Sequence, residues 1–171
     1  MNRRGSSESY RVLFKKLRER IPGLVLRTSL IVGHPGEGEE EFEELCEFLR
    51  EVKIERAGVF PYSPEEGTVS CEMPDRCDED TAYHRAELVR QLQERIIDEY
   101  NESRMGSVVK VLCDGRDGAY RIGRSYADSP DVDDKIYFIG DCEIGDFVDV
   151  RITGWTEEFF EGAFLAGEQV E

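Results

Sequence analysis

The stretch from Leu26 to Val52, LRTSLIVGHPGEGEEEFEELCEFLREV, constrains the fold more than any other part of this chain. An apolar run leads into a glycine-bracketed turn. Phe42, Leu45, Phe48, Leu49 and Val52 then recur at helical spacing, with glutamates on the remaining face. Glu39, Glu40 and Glu41 open that helix, where the helix dipole favours negative charge. Arg56 to Pro61, RAGVFP, is a second short apolar strand, so strand, helix and strand form one parallel α/β unit. A strand apolar on both faces needs neighbours beside it and covering layers above and below. Little chain precedes this one. Ser6 or Ser7 caps a helix through about Arg20, with Tyr10, Leu13, Phe14 and Leu17 as one apolar stripe, and Ile21, Pro22 and Gly23 end it. The strand itself is expected from Leu24 to Val32.

Tyr62 to Asp78 is punctuated by Pro64, Gly67 and Pro74 and reads as loop. A long helix follows from about Glu79 to Arg104, with Leu88, Leu92, Ile96 and Tyr100 along one side. From Gly106 the pattern changes to β. SVVKVLCDG, AYRIGRSYAD, KIYFIG, DFVDVRITGW and FFEGAFLAG are short strands broken by Asp-Gly and Gly-Asp turns. Five strands in so short a span predict a small barrel of the oligonucleotide-binding type. The fold class is therefore α/β plus all-β, with residues 1–103 as the α/β part and 104–171 as the barrel.

Charge is unevenly spread over the 171 residues. Residues 1–33 carry eight Lys or Arg and two Asp or Glu, whereas residues 34–171 carry fourteen basic and thirty-six acidic residues. An anionic body repels phosphate backbones and attracts basic partners. With no long apolar run and no apolar leader, the sequence reads as cytosolic, without a membrane segment. Cys46, Cys71, Cys77, Cys113 and Cys142 are odd in number and contain no C-x-x-C, the pattern of reduced thiols. Cys71 and Cys77 alone are close in sequence, and without further Cys or His partners they make a poor zinc motif.

MNRRGSS, LRTSLIVGHPGE, GVFPYSPEEGT and GRSYADSPDVD, in this order and spacing, resemble the carboxy-terminal half of the radical S-adenosylmethionine methylthiotransferases. Within that family the ribosomal-protein, RimO-like branch, which modifies an aspartate of a small-subunit ribosomal protein, is the most similar. The resemblance runs from Met1 to about Gly162. It implies that the strand ending at Val32 is a late strand of a partial radical-SAM (β/α) barrel, and that the terminal barrel is a TRAM domain. It further implies an intact parent that uses S-adenosylmethionine and 4Fe-4S clusters, one of them held by a C-x-x-x-C-x-x-C loop. Five cysteines are present here, but none is arranged as that loop, so the cluster ligands are absent from this chain and it is expected to be inactive alone. Such a chain would be a piece of the parent or the product of an internal methionine. The chain departs from the family pattern at His34, Gly38 and Pro61, where Phe, Thr and Thr are common, and in the final TEEFFEGAF.

The resemblance also implies site residues. Arg27, Ile31, Gly33, Phe60 and Tyr62 are the expected cofactor-binding positions, through backbone walls near Ile31 to Gly33 and Phe60 to Tyr62. Gly33, Pro35 and Gly36 otherwise form an ordinary strand-to-helix turn. Arg27, a charge in an apolar strand, is expected to be buried and paired, with a cofactor carboxylate or with a neighbouring acid. His34 reads as a loop histidine. In the barrel, seven basic and fifteen acidic residues lie within 104–171. That balance opposes RNA binding and suits a basic small-subunit ribosomal protein as partner, with Asp131, Asp133 and Asp134 as partner-binding residues. A transfer-RNA methylthiotransferase segment and a non-catalytic ribosomal-protein-binding module are the other readings.

Overall fold

The computed structural model describes residues 5–156 and 158–165. The first four residues of MNRRGSS, the last two of FFEGAFLAG and Glu157 of TEEFFEGAF lie outside them. The chain divides into two compact units, 1–99 and 100–171.

In the first unit, α1 (Ser7–Arg20) starts at Ser6, whose hydroxyl accepts the Ser9 N–H at 3.2 Å. It buries no residue fully. Phe14 reaches Phe48 at 6.3 Å between ring centres, while Tyr10 and Leu13 of the expected stripe stay exposed. β1 (Arg27–Val32) is three residues shorter than expected at its start, because the Leu26 N–H donates to a carboxylate, Glu55 Oε2 at 2.8 Å, instead of to a strand. α2 (Glu39–Val52) buries Phe42, Cys46, Leu49 and Val52. Glu41 turns back to accept the Gly38 N–H at 2.9 Å, and Lys53 closes the helix in the left-handed region at φ 50°. β2 (Arg56–Pro61) pairs parallel with β1, Leu30 opposite Val59 and Ile31 opposite Phe60.

The 62–78 segment is not all loop: Thr68 caps a single turn, α3 (Val69–Glu72). α4 (Glu79–Ser103) lays Ala82, Ala86, Val89, Gln93 and Ile96 inward, whereas Leu88 is 41 % exposed. Of the expected stripe, Ile96 is in the core and Leu92 packs against it, while Leu88 departs because positions four apart drift about 40° per step round a 3.6-residue helix, whereas alternating steps of four and three hold one face. The core joins Val32, Leu49, Ile54, Val59 and Val89. Gln93 donates from its buried amide to the Ile54 carbonyl at 2.8 Å, and Arg90 to the Val59 carbonyl at 3.2 Å, so α4 satisfies backbone at β2.

The second unit is a closed five-stranded barrel of β3 (Val108–Asp117), β4 (Tyr120–Arg124), β5 (Lys135–Ile139), β6 (Phe147–Trp155) and β7 (Phe159–Phe164), in the order β3-β4-β5-β7-β6. Neighbours are antiparallel except β5 and β7. Bulges at Cys113/Gly115 and Ile152/Gly154 add the curvature that closure needs. Val111, Ile136, Phe138, Val150, Ile152 and Phe160 fill the interior. A Cβ on Gly162 would lie 2.2 Å from Val150 Cγ1, so only glycine lets β7 close on this core.

Candidate functional site

Parallel β1 and β2 end at the same level, and their carboxyl ends bear four of the expected cofactor-binding residues, Ile31, Gly33, Phe60 and Tyr62, whereas Arg27 is at the amino end of β1. Thr28, Leu30 and Val32 alternate toward the helices with Ala57 and Val59. Arg27, Ser29 and Ile31 are exposed on the alternate positions, as are Gly58 and Phe60. Ile31 and Phe60 thus form an exposed apolar pair, 38 % and 54 % accessible. The Tyr62 N–H donates to the Val32 carbonyl at 2.8 Å, which carries the ladder one step past β2. Arg27 is exposed, contrary to the expected burial, although Arg56, its partner in the parallel register, is buried. Among the described residues of this unit, the buried arginines are Arg56 and Arg85.

The turn after β1 is held by a buried ion pair that sequence reasoning missed. Glu37 Oε1 accepts the Gly33 N–H at 2.9 Å and Arg85 Nη1 at 2.9 Å. Arg85 also donates to the Glu37 carbonyl at 3.0 Å and to Glu39 at 3.2 Å, and lies 5.1 Å from the Phe42 ring centre. Burial works against the Arg85 charge, but the bonds from Glu37 and Glu39 outweigh it and hold the guanidinium above its ordinary range. Gly33 is needed for packing: at φ 76°, a Cβ there would sit 2.4 Å from Ala82 Cβ. Burial pushes the Cys77 thiol beside this turn up, an effect Arg85 only moderates, so Cys77 is a weak nucleophile near neutrality.

His34 and Tyr62 face one another at the strand ends, ring centres 5.1 Å apart and edge-on. His34 Nδ1 lies 3.0 Å from the Pro35 carbonyl oxygen, while His34 Nε2 and the Tyr62 hydroxyl are buried without a hydrogen-bond partner. Two orphaned polar atoms beside an open apolar pair suit a ligand with a flat ring and hydroxyl groups, as a nucleoside has. An iron-sulfur cluster does not fit in the same way. Among the described residues no three Cys, His, Asp or Glu side chains converge to hold a metal ion, and all five cysteines are free. Cys113 and Cys142 are barrel-core thiols.

In the barrel the GRSYADSPDVD stretch is tied down from within. Asp128 accepts the Ser125 N–H at 3.0 Å, the Ser125 hydroxyl at 2.5 Å and Arg104 Nη1 at 3.3 Å. Arg104 also reaches Ser125 Oγ at 3.1 Å and covers the Phe160 ring at 4.3 Å. The side chains of Arg104 and Asp128 are 7 % and 1 % exposed, so this constellation braces the loop from inside. Of the three expected partner-binding aspartates, Asp131 is exposed in the left-handed region at φ 57°. Asp133 is half-buried and accepts the Ser129 N–H at 2.6 Å, and Asp134 is half-buried beside it. All three line a cavity of about 370 Å³ with Asp114, Arg124 and Lys135, where Arg124 is bound to Asp114 at 2.9 Å.

This barrel is a TRAM domain: the TRAM domain family matches residues 105–164. Three relatives extend the likeness to nearly the whole chain, and each is named ribosomal protein uS12 methylthiotransferase RimO. The protein from Pelotomaculum thermopropionicum is 47 % identical over 163 residues, 92 % of this chain and 36 % of its own length. That from Clostridium novyi is 42 % identical over 159 residues, 92 % of this chain and 36 % of its own length. That from Thermotoga maritima is 40 % identical over 152 residues, 89 % of this chain and 35 % of its own length. The chain is therefore homologous to the RimO methylthiotransferases, and it spans about a third of the length of the relatives it matches.

Proposed function

We propose that this chain is the part of a radical-SAM uS12 methylthiotransferase that completes the cofactor-binding barrel and holds the protein substrate, an aspartate of uS12 being the modified residue. The division of labour falls at residues 103 and 104. In the first part, Ile31 and Phe60 would flank the adenine of S-adenosylmethionine. His34 Nε2, the Tyr62 hydroxyl and backbone near Gly33 would meet its polar groups, and Arg27 its carboxylate. The bound cofactor supplies the methyl group. Arg85 and Glu37 keep the Gly33 turn in one conformation, and α4 excludes water from behind it. The sequence contains no C-x-x-x-C-x-x-C, so the chain alone does not carry out the reaction. No described helix is long and apolar enough to cross a membrane, and a cytoplasmic site of action accords with a ribosomal substrate.

The barrel docks uS12, and the observation that carries this reading is charge: fifteen carboxylates against seven cations over residues 104–171. Such a surface repels a phosphate backbone and attracts a basic protein. Asp131 is the exposed one of the three that line the 370 Å³ cavity, Asp134 is half-buried, and Asp133 fixes their loop. Titrating the chain with uS12 and with a transfer-RNA anticodon stem-loop, each at low and physiological salt, tests the proposal. The protein should bind and weaken as salt rises, because exposed charges are screened over about 8 Å at physiological ionic strength. Asp131, Asp133 and Asp134 changed together to Asn should slow association while leaving an oxygen for the Ser129 N–H. Tighter binding of the stem-loop would overturn it.

A further inference from the structure

The barrel has a second feature that its charge does not explain. Tyr120 on β4, Tyr137 on β5 and Phe159 on β7 form a row across three neighbouring strands, with ring centres 6.2 Å apart for the first pair and 4.9 Å for the second. They lie on the outer surface, because the residues that alternate with them, Phe138 and Phe160, fill the interior. Tyr120 is 48 % exposed, and Ile139, two residues along β5 from Tyr137, is 63 % exposed. Contiguous exposed apolar surface of this kind marks a place of contact.

The neighbours of the row decide between occupants. The second and third strands of such barrels form the face on which oligonucleotides stack. Here, however, Asp117 stands opposite Tyr120 in the ladder and Glu161 opposite Tyr137, with Glu158 next to Phe159. None of these three exposed carboxylates is in an ion pair among the described residues, and Lys135, opposite Phe159, is the one cation in register with the row. Ile122 and Lys135 on this outer face also line the cavity walled by Asp131, Asp133 and Asp134. Ring faces carry negative potential, and carboxylates beside them deepen it, which favours a guanidinium or ammonium and disfavours phosphate.

We propose that this row is a cation–π platform for an extended arginine- and lysine-rich protein segment, whose charged heads lie over Tyr120 and Tyr137 and pair with Asp117 and Glu161. The platform rests on the reading that the barrel faces a basic protein, and it names the surface and the chemistry of contact.

The test titrates the full chain with a short arginine- and lysine-rich peptide and, separately, with single-stranded oligouridylate. The peptide should bind, and Tyr120→Ala with Tyr137→Leu should weaken it about tenfold. Tyr120→Phe with Tyr137→Phe should restore most of the loss, since the ring face survives. Asp117→Asn with Glu161→Gln should weaken it at low salt. Unchanged ellipticity and Trp155 emission report that the variants fold, and Tyr120→Ala alone, at the exposed strand end, serves if the pair does not. Peptide binding indifferent to ring removal but lowered by neutralising Asp131, Asp133 and Asp134 would overturn the platform and leave the docking reading standing. Absence of any binding by peptide or by uS12 would overturn both. Tighter, ring-dependent binding of oligouridylate would make the row a base-stacking face, and a dimer in sedimentation dispersed by Tyr120→Ala would assign it to a second copy.

Discussion

Removing the Arg85 guanidinium should cost the α/β unit more than any surface charge change. Its side chain is 9 % exposed and that of Glu37 is 13 % exposed, so Arg85→Ala strands a carboxylate that water scarcely reaches. Breaking one side of such a buried pair costs about 3–5 kcal/mol. The Gly33 N–H still donates to Glu37 at 2.9 Å, which places the expectation near the lower figure. The arm to Glu39, itself 74 % exposed, adds little, because solvent screens it. A loss of about 3 kcal/mol lowers the melting midpoint by roughly 12–24 °C in a unit of this size. Glu37→Gln should cost less, about 1–2 kcal/mol, because the amide oxygen keeps the Gly33 bond and Arg85 keeps the Glu37 carbonyl. Urea unfolding followed by far-ultraviolet ellipticity reports the helices of this unit, while Trp155 is in the barrel. A loss below about 1 kcal/mol for Arg85→Ala, or equal losses for the two variants, would refute the buried-pair argument.

Gly33→Ala places a methyl 2.4 Å from Ala82 Cβ at a φ of 76°, so strain and overpacking together should cost about 2–5 kcal/mol by the same assay, and Ala82→Gly should relieve the packing part. Asp78 caps α4 by accepting the Thr81 N–H at 2.9 Å and its hydroxyl at 2.7 Å, bonds that hold its carboxyl below the usual range. With the folded value depressed, this stabilisation is present above the unfolded carboxylate pKa and is lost as pH falls through the folded one. Acid titration of helix content should show that loss in the wild type, and Asp78→Asn should be flatter over the same range.

Elements whose signal is local could be read from the sequence. The glutamate-rich face of α2 and the alternating strands of the barrel follow from periodicities of 3.6 and 2 within a few residues. Asp117-Gly118 turns β3 into β4, and Gly140-Asp141 and Gly145-Asp146 lie between β5 and β6, whereas Asp114-Gly115 falls within β3 at its bulge and no such pair joins β4 to β5 or β6 to β7. Pairings between distant positions were not legible. Arg27 and Arg56 sit in apolar strands of similar composition, yet only Arg56 is buried. Glu37 with Arg85, and Arg104 with Asp128, meet across 48 and 24 residues. Nothing near Asp133 in sequence marks it as a bond to Ser129 instead of a free surface charge. Arg27, Ile31, Gly33, Phe60 and Tyr62 were drawn together by resemblance. The parallel register supplies the physical reason that Ile31 and Phe60 share one open face.

The central claim, that this chain is the substrate-holding third of a uS12 methylthiotransferase, is tested most directly by grafting it in place of the matching segment of a RimO relative and measuring the mass of uS12 after anaerobic turnover. The chimera should add a methylthio group to one aspartate of uS12, while the chain by itself adds none. A folded, cluster-loaded chimera that cleaves S-adenosylmethionine yet leaves uS12 unmodified, or modifies transfer RNA in its place, would contradict it.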